Sequence, residues 1–333
     1  MRKSSIEILR FLCALAVVFF HVGGIKELWP TWLYVVFAPI AEVPIPVFII
    51  ITGYMSFNNT KNRGVYYIIT CLYYYLLFLG VETLLNIDNN SFEFKSILKG
   101  GSRWWYLWSM IPVYILGPIF NIISKSLTKR QLLFFIVVLF IIFYSLSRIK
   151  YDFPPSAGNV LYLSCGYFVG TWLKKHENDV SLKIRLNCSY AYILLMTLCE
   201  IIIFAITNYV DDSPVGPHVL VLAIAIFTIF NNLNIKNKKI YNFLGMLALP
   251  IYLFHYSFFE KLLKYLYPLI SNLNSNLILL ILLLSTSLVI FIFCAIIIYP
   301  MNYATKYTNK LMLLIYFKII NKNKAIKAID QKK

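Results

Sequence analysis

The chain has 333 residues, 60% hydrophobic and 14% charged, with a formal net charge of +17. A soluble domain carries about 25% charged residues, so this composition excludes a water-soluble enzyme and leaves a multi-span membrane protein with no sizeable soluble domain. The basic excess lies in short loops between apolar runs, which reads as topology selection and not as nucleic-acid binding.

In chain order, apolar runs predict ten membrane spans, at about 6–25, 36–57, 65–86, 104–123, 131–147, 157–173, 189–209, 217–233, 240–260 and 277–303. The first run follows "MRKS" and contains Glu7 and Arg10, with no small-x-small cleavage site after it, so a retained helix is expected rather than a signal peptide. The second contains Pro39, Pro44 and Pro46. With the N-terminus inside, 23 of the 31 basic residues fall on the inner side. That bias predicts an all-α polytopic protein with both termini cytoplasmic. Residues 1–305 then form one transmembrane domain. Residues 306–333 form a basic cytoplasmic tail suited to anionic lipid. The six cysteines lie in or beside apolar runs with no CxxC, so neither a disulfide framework nor a metal site is expected.

Aromatic residues are dense in "VYYIITCLYYYLLF" (Val65–Phe78) and "RWWYLW" (Arg103–Trp108). Such clusters at span ends read as interfacial belts. Stacking on a sugar or a base is the sharper reading.

The first span carries the most informative pattern, "IEILRFLCALAVVFFHVGG" (Ile6–Gly24). "SSIE" (Ser4–Glu7) fits a capping box, which starts the helix near Ser4 or Ser5. His21 lies eleven positions beyond Arg10, so at about 100° and 1.5 Å per residue they share one face, roughly 16 Å apart along the axis. Glu7 lies one turn before Arg10, within about 60° of the same line. Taken singly, Glu7 reads equally well as a cap, Arg10 as a residue snorkelling to head groups, and His21 as a packing residue. Three ionisable groups on one face of a span point to a water-filled site or to one another. His255, in "LGMLALPIYLFHYSFFEK", lies fifteen residues into the ninth span, which runs in the same direction. The two histidines thus sit at a similar depth and are expected to share a cavity. His176 and His218 fall in or beside loops and read as surface residues.

Four stretches together resemble membrane acyltransferase family 3, which includes surface-polysaccharide O-acetyltransferases. "IEILRFLCALAVVFFH" resembles the family's first-helix motif of an arginine and a histidine with ten residues between them. "VPIPVFIIITGYMSF" resembles its second-helix block, with Thr52 in place of a serine before Gly53 and Tyr54. "WYLWSMIPVYILGPIF" resembles a block of the O-acetyltransferase branch and contains Trp105 and Tyr106; Arg103 stands where members often have a histidine. "LGMLALPIYLFHYSF" resembles the late Pro-x-Tyr-x-x-His block, at Pro250, Tyr252 and His255.

The resemblance implies a multi-pass enzyme of a bacterial cell membrane. The implied donor is acyl-CoA, most simply acetyl-CoA as a co-substrate with no bound cofactor. The implied acceptor is a hydroxyl of a cell-surface polysaccharide or its lipid-linked precursor. His21 is then the expected general base and Arg10 the residue for donor phosphates, held by Glu7. His255, Tyr252, Trp105, Tyr106 and Gly53 are the expected binding or site-ordering residues. A transporter or flippase of a lipid-linked glycan is the alternative that intramembrane charge and proline-broken spans would also fit.

Overall fold

Lys3 starts the first helix, and its carbonyl accepts the amides of Ile6 and Glu7 at 3.0 and 3.2 Å. The expected capping box does not form. Ser4 donates instead to Asn237 Oδ1 (2.9 Å) and accepts the Lys238 amide (3.3 Å), while Glu7 turns to Arg10. Both side chains are drawn into tertiary contacts that outcompete a local cap.

The structure is a computed structural model that describes residues 3–23, 42–58, 64–85, 105–148, 155–207 and 216–270, together with 278, 281–282, 284–296, 299 and 314. Every regular element among the described residues is an α-helix. In chain order they are α1 (Ser4–Gly23), α2 (Pro44–Ser56), α3 (Gly64–Leu85), α4 (Trp105–Ser126), α5 (Lys129–Arg148), α6 (Pro155–Lys175), α7 (Leu182–Thr207), α8 (Pro217–Asn232) and α9 (Lys239–Ile270). A tenth, α10, spans Leu284–Ile296. The molecule is an all-α polytopic membrane protein. Stretches in α1, α4, α5 and α7 are long and apolar enough to cross a bilayer on length and composition alone. Arg103, the loop 87–103 and the tail 306–333 apart from residue 314 lie outside the described residues.

Several helices outrun their predicted spans. α7 begins at Leu182 rather than at 189, and α9 runs to Ile270 rather than to 260. Hydropathy marks the part of a helix that lipid selects, whereas backbone hydrogen bonding carries the helix on through polar turns such as "LKIRLN". Pro112 and Pro118 lie inside α4, but two other prolines stand where they cost little. Pro44 and Pro217 occupy the first turns of α2 and α8, where amides have no intrahelical partner.

The core is assembled by two close helix pairings. In one, α2 crosses α6 at glycines. A Cβ on Gly53 would fall on the Tyr167 carbonyl oxygen, and one on Gly170 would fall on the Ile50 carbonyl and lie 2.7 Å from the Tyr54 amide nitrogen. Gly166 and Gly170 form a GxxxG, the spacing that lets two membrane helices meet backbone to backbone. In the other pairing, α1 lies along α9. Glu7 faces Gly245 and, further up, His21 faces His255, so the two helices are parallel. The C-terminal ends of α2, α6 and α8 gather at the N-terminal end of α1. That end carries the basic residues that the charge bias assigns to the inner side.

Candidate active site

The polar stripe of α1 is buried in the bundle. Glu7 is 3% exposed at its side chain and its Oε1 takes a hydrogen bond from Arg10 Nη1 at 3.0 Å. Arg10 remains 27% exposed, and Glu7 is its hydrogen-bond partner among the described residues, which uses one of its five N–H donors. Tyr106 and Tyr114 of α4 lie within electrostatic reach of the guanidinium. Tyr114 also lies close to the Thr52 side chain of α2. Thr52 in turn donates to the Phe48 carbonyl at 2.8 Å, so threonine supplies the hydroxyl at this position.

About three turns higher, the His21 and His255 rings meet edge to face, with centroids 4.8 Å apart and planes at 63°. His255 is 3% exposed and His21 is half-buried. His21 Nδ1 lies 2.8 Å from the Val17 carbonyl, and His255 Nδ1 lies 3.1 Å from the Ile251 carbonyl. A carbonyl oxygen can only accept, so each Nδ1 carries a proton, and Nε2 is the basic nitrogen whenever the ring is neutral. Both tautomers are set by the helix that bears the ring. From His255 the aromatic contact continues to Tyr252 (6.0 Å), and from Tyr252 to Tyr106 (5.3 Å, T-shaped). The ring series therefore runs from α1 through α9 to α4, the helix whose tyrosines face Arg10.

The expected site residues separate into two groups. Glu7, Arg10, His21, His255, Tyr252 and Tyr106 are brought together, and Trp105 stacks edge-on against Tyr106 at 6.2 Å. Gly53 sits in the α2–α6 crossing. The described part of the tyrosine-rich stretch of α3 packs on α4, with Tyr67 stacked on Tyr114 (4.7 Å) and Tyr75 against Trp108 (5.0 Å). His176 pairs with Asp179 Oδ2 at 2.9 Å and keeps only 12% of its side chain exposed, so it is less of a surface residue than its loop position suggests. Sequence reasoning passed over Gly245, which lies in the very stretch that carries His255. An isolated glycine in an apolar helix was the available signal.

The all-helical membrane bundle thus sets the Glu7–Arg10 pair below two facing histidines. Residues 3–300 match the model of the family described as Acyltransferase domain (Acyl_transf_3). The chain therefore belongs to membrane acyltransferase family 3, and it is an acyltransferase. No curated relative and no solved structure matches it.

Proposed function

We propose that this acyltransferase moves an acetyl group from acetyl-CoA to a hydroxyl of a cell-surface polysaccharide or its lipid-linked precursor, at a bacterial cell membrane. The observation that carries the reading is the meeting of His21 with His255, each with its Nδ1 on a backbone carbonyl, above the guanidinium of Arg10, which shares a face of α1 with His21.

Arg10, toward the cytoplasmic end, binds the donor's phosphates through its planar fork of N–H groups. The pantetheine arm then climbs the roughly 16 Å between Arg10 and His21. His21 Nε2 removes the acceptor hydroxyl proton as the oxygen attacks the thioester carbonyl. The new C–O bond forms, the C–S bond breaks, and the proton passes from His21 to the departing thiolate, releasing coenzyme A. His255 keeps the His21 ring oriented and Tyr252 and Tyr106 form the wall beside it. No covalent acyl-enzyme is needed. The resemblance of "WYLWSMIPVYILGPIF" to the O-acetyltransferase branch supports the acetyl donor and glycan acceptor.

The test is labelled acetyl-CoA supplied to membranes containing the protein and the host glycan, with label on the glycan and free coenzyme A both measured. Wild type transfers label. His21→Ala loses it by 100-fold or more, the range general-base removal covers, while still inserting in the membrane. Undiminished transfer by His21→Ala would sink the base assignment. Unlabelled glycan with no coenzyme A released by wild type would sink the donor and acceptor together.

A further inference from the structure

We infer that Gly245 is a positioning residue for Arg10: its missing side chain leaves a slot in α9 that seats the Glu7 carboxylate, and the seated carboxylate fixes the guanidinium. The proposal rests on the reading of Arg10 as the donor-phosphate residue.

The slot is narrow. A Cβ at position 245 would fall on Glu7 Oε2 and lie 2.9 Å from Glu7 Cβ and 3.0 Å from its Cα. Retracting the carboxylate alone would not make room, because the backbone of α1 is in the way. Any residue but glycine forces α1 and α9 apart at this level.

The carboxylate is divided between two tasks. Oε1 accepts from Arg10. Oε2 is buried and has no hydrogen-bond donor among the described residues. Leaving a carboxylate oxygen so placed is unfavourable unless packing enforces it. The Gly245 Cα hydrogen occupies the direction that a Cβ would take and so points at Oε2, a weak C–H···O contact that only glycine provides here. With Oε2 held in the slot, Oε1 has one place to stand, and Arg10 docks on it.

The same helix carries Tyr252 and His255 one short stretch further on. One rigid element therefore seats the lower ion pair and presents the upper histidine. Gly245 sets the level of one relative to the other, which is the spacing a donor must bridge.

The experiment uses full-length protein in membranes, with acetyl-CoA saturation at fixed acceptor and acceptor saturation at fixed acetyl-CoA. Gly245→Ala raises the donor KM at least fivefold, changes kcat less, and leaves the acceptor KM within twofold. In a Glu7→Ala background the same substitution moves the donor KM by less than twofold: the methyl still crowds Cβ and Cα of residue 7, but no carboxylate is left for it to displace from Arg10. If Gly245→Ala fails to accumulate, Glu7→Asp carries the test. It withdraws the carboxylate by one methylene, adds no atoms, and raises the donor KM. An inserted Gly245→Ala protein with a wild-type donor KM, or effects that multiply in the double variant, would overturn the proposal. Arg10→Ala and thermal unfolding in detergent separate the two readings. Additive melting shifts in the Gly245→Ala/Glu7→Ala cycle overturn the seat. Coupled shifts, with an unmoved donor KM in Arg10→Ala, overturn the donor reading instead.

Discussion

Arg10 is where the chemistry of a single side chain decides most. Lysine would keep the charge and a long stem, but it offers a point charge where arginine offers a planar fork that can hold Glu7 with one edge and a phosphate with the other. Arg10→Lys is therefore expected to raise the donor KM about tenfold, which is about 1.4 kcal/mol of lost binding, with kcat changed by less than threefold. Steady-state kinetics at varied acetyl-CoA checks it, and an unchanged KM would mean that charge alone serves. The histidines make the complementary point. Their protonation pattern is fixed by i−4 carbonyls of their own helices, at Val17 and Ile251, so neither needs a carboxylate partner to hold its tautomer. This economy suits a membrane interior, where a further carboxylate would be costly to bury.

At the scale of elements, the bundle depends on glycines that let helices touch. Gly170→Ala would drive a methyl into the Ile50 carbonyl and the Tyr54 amide, both backbone atoms that cannot rotate away. Overpacking of this kind costs about 1–3 kcal/mol, so a clear fall in melting temperature in detergent is expected. Gly80 of α3 has nothing within 4 Å of its Cβ position. Gly80→Ala is expected to be neutral or to stabilise by up to about 1 kcal/mol through helix propensity. Equal behaviour of the two variants would contradict the crossing as described. The contrast also marks what the sequence could tell. Spans were legible because lipid selects apolar runs, and the Glu7–Arg10–His21 stripe was legible because 3.6-residue periodicity is local. The meeting of His21 with His255 followed from counting residues from two helix starts. Which glycine meets which neighbour depends on helix pairing, so the seating of Glu7 on Gly245 and the Gly53–Gly170 crossing could not be read, although the glycines themselves were visible. The capping box failed for the same reason: its serine is claimed by Asn237, 233 residues away.

Across the whole molecule, one polar network ties the N-terminal end of α1 to the C-terminal ends of α2, α6 and α8 beneath the site. Lys3 bonds to the Asn231 carbonyl oxygen and lies 3.3 Å from its Oδ1. Asn231 Nδ2 donates to the Tyr54 hydroxyl (3.1 Å) and to Glu177 Oε1 (3.4 Å), and the Tyr54 hydroxyl donates to the same oxygen (2.7 Å). Lys174 closes the circuit on Glu177 Oε2 at 2.7 Å. Glu177 is the one carboxylate among these residues, and its protonation state sets whether the circuit holds. Partial burial alone would raise its pKa, but hydrogen bonds from Lys174 and Tyr54 outweigh that and hold it below its ordinary 4.5. A depressed carboxylate pKa favours the folded state above the ordinary value, and that contribution is lost as pH falls through the lowered one. Wild type is thus expected to melt above Glu177→Gln at pH 7. The gap should narrow as the pH is taken below the ordinary 4.5 and through the lowered value, as both proteins come to carry a neutral side chain at 177. Melting curves in detergent from pH 7 to pH 3.5 measure it. A gap that stays constant over that range would show that Glu177 acts through shape alone, and that the four helix ends are held by packing rather than by this charge.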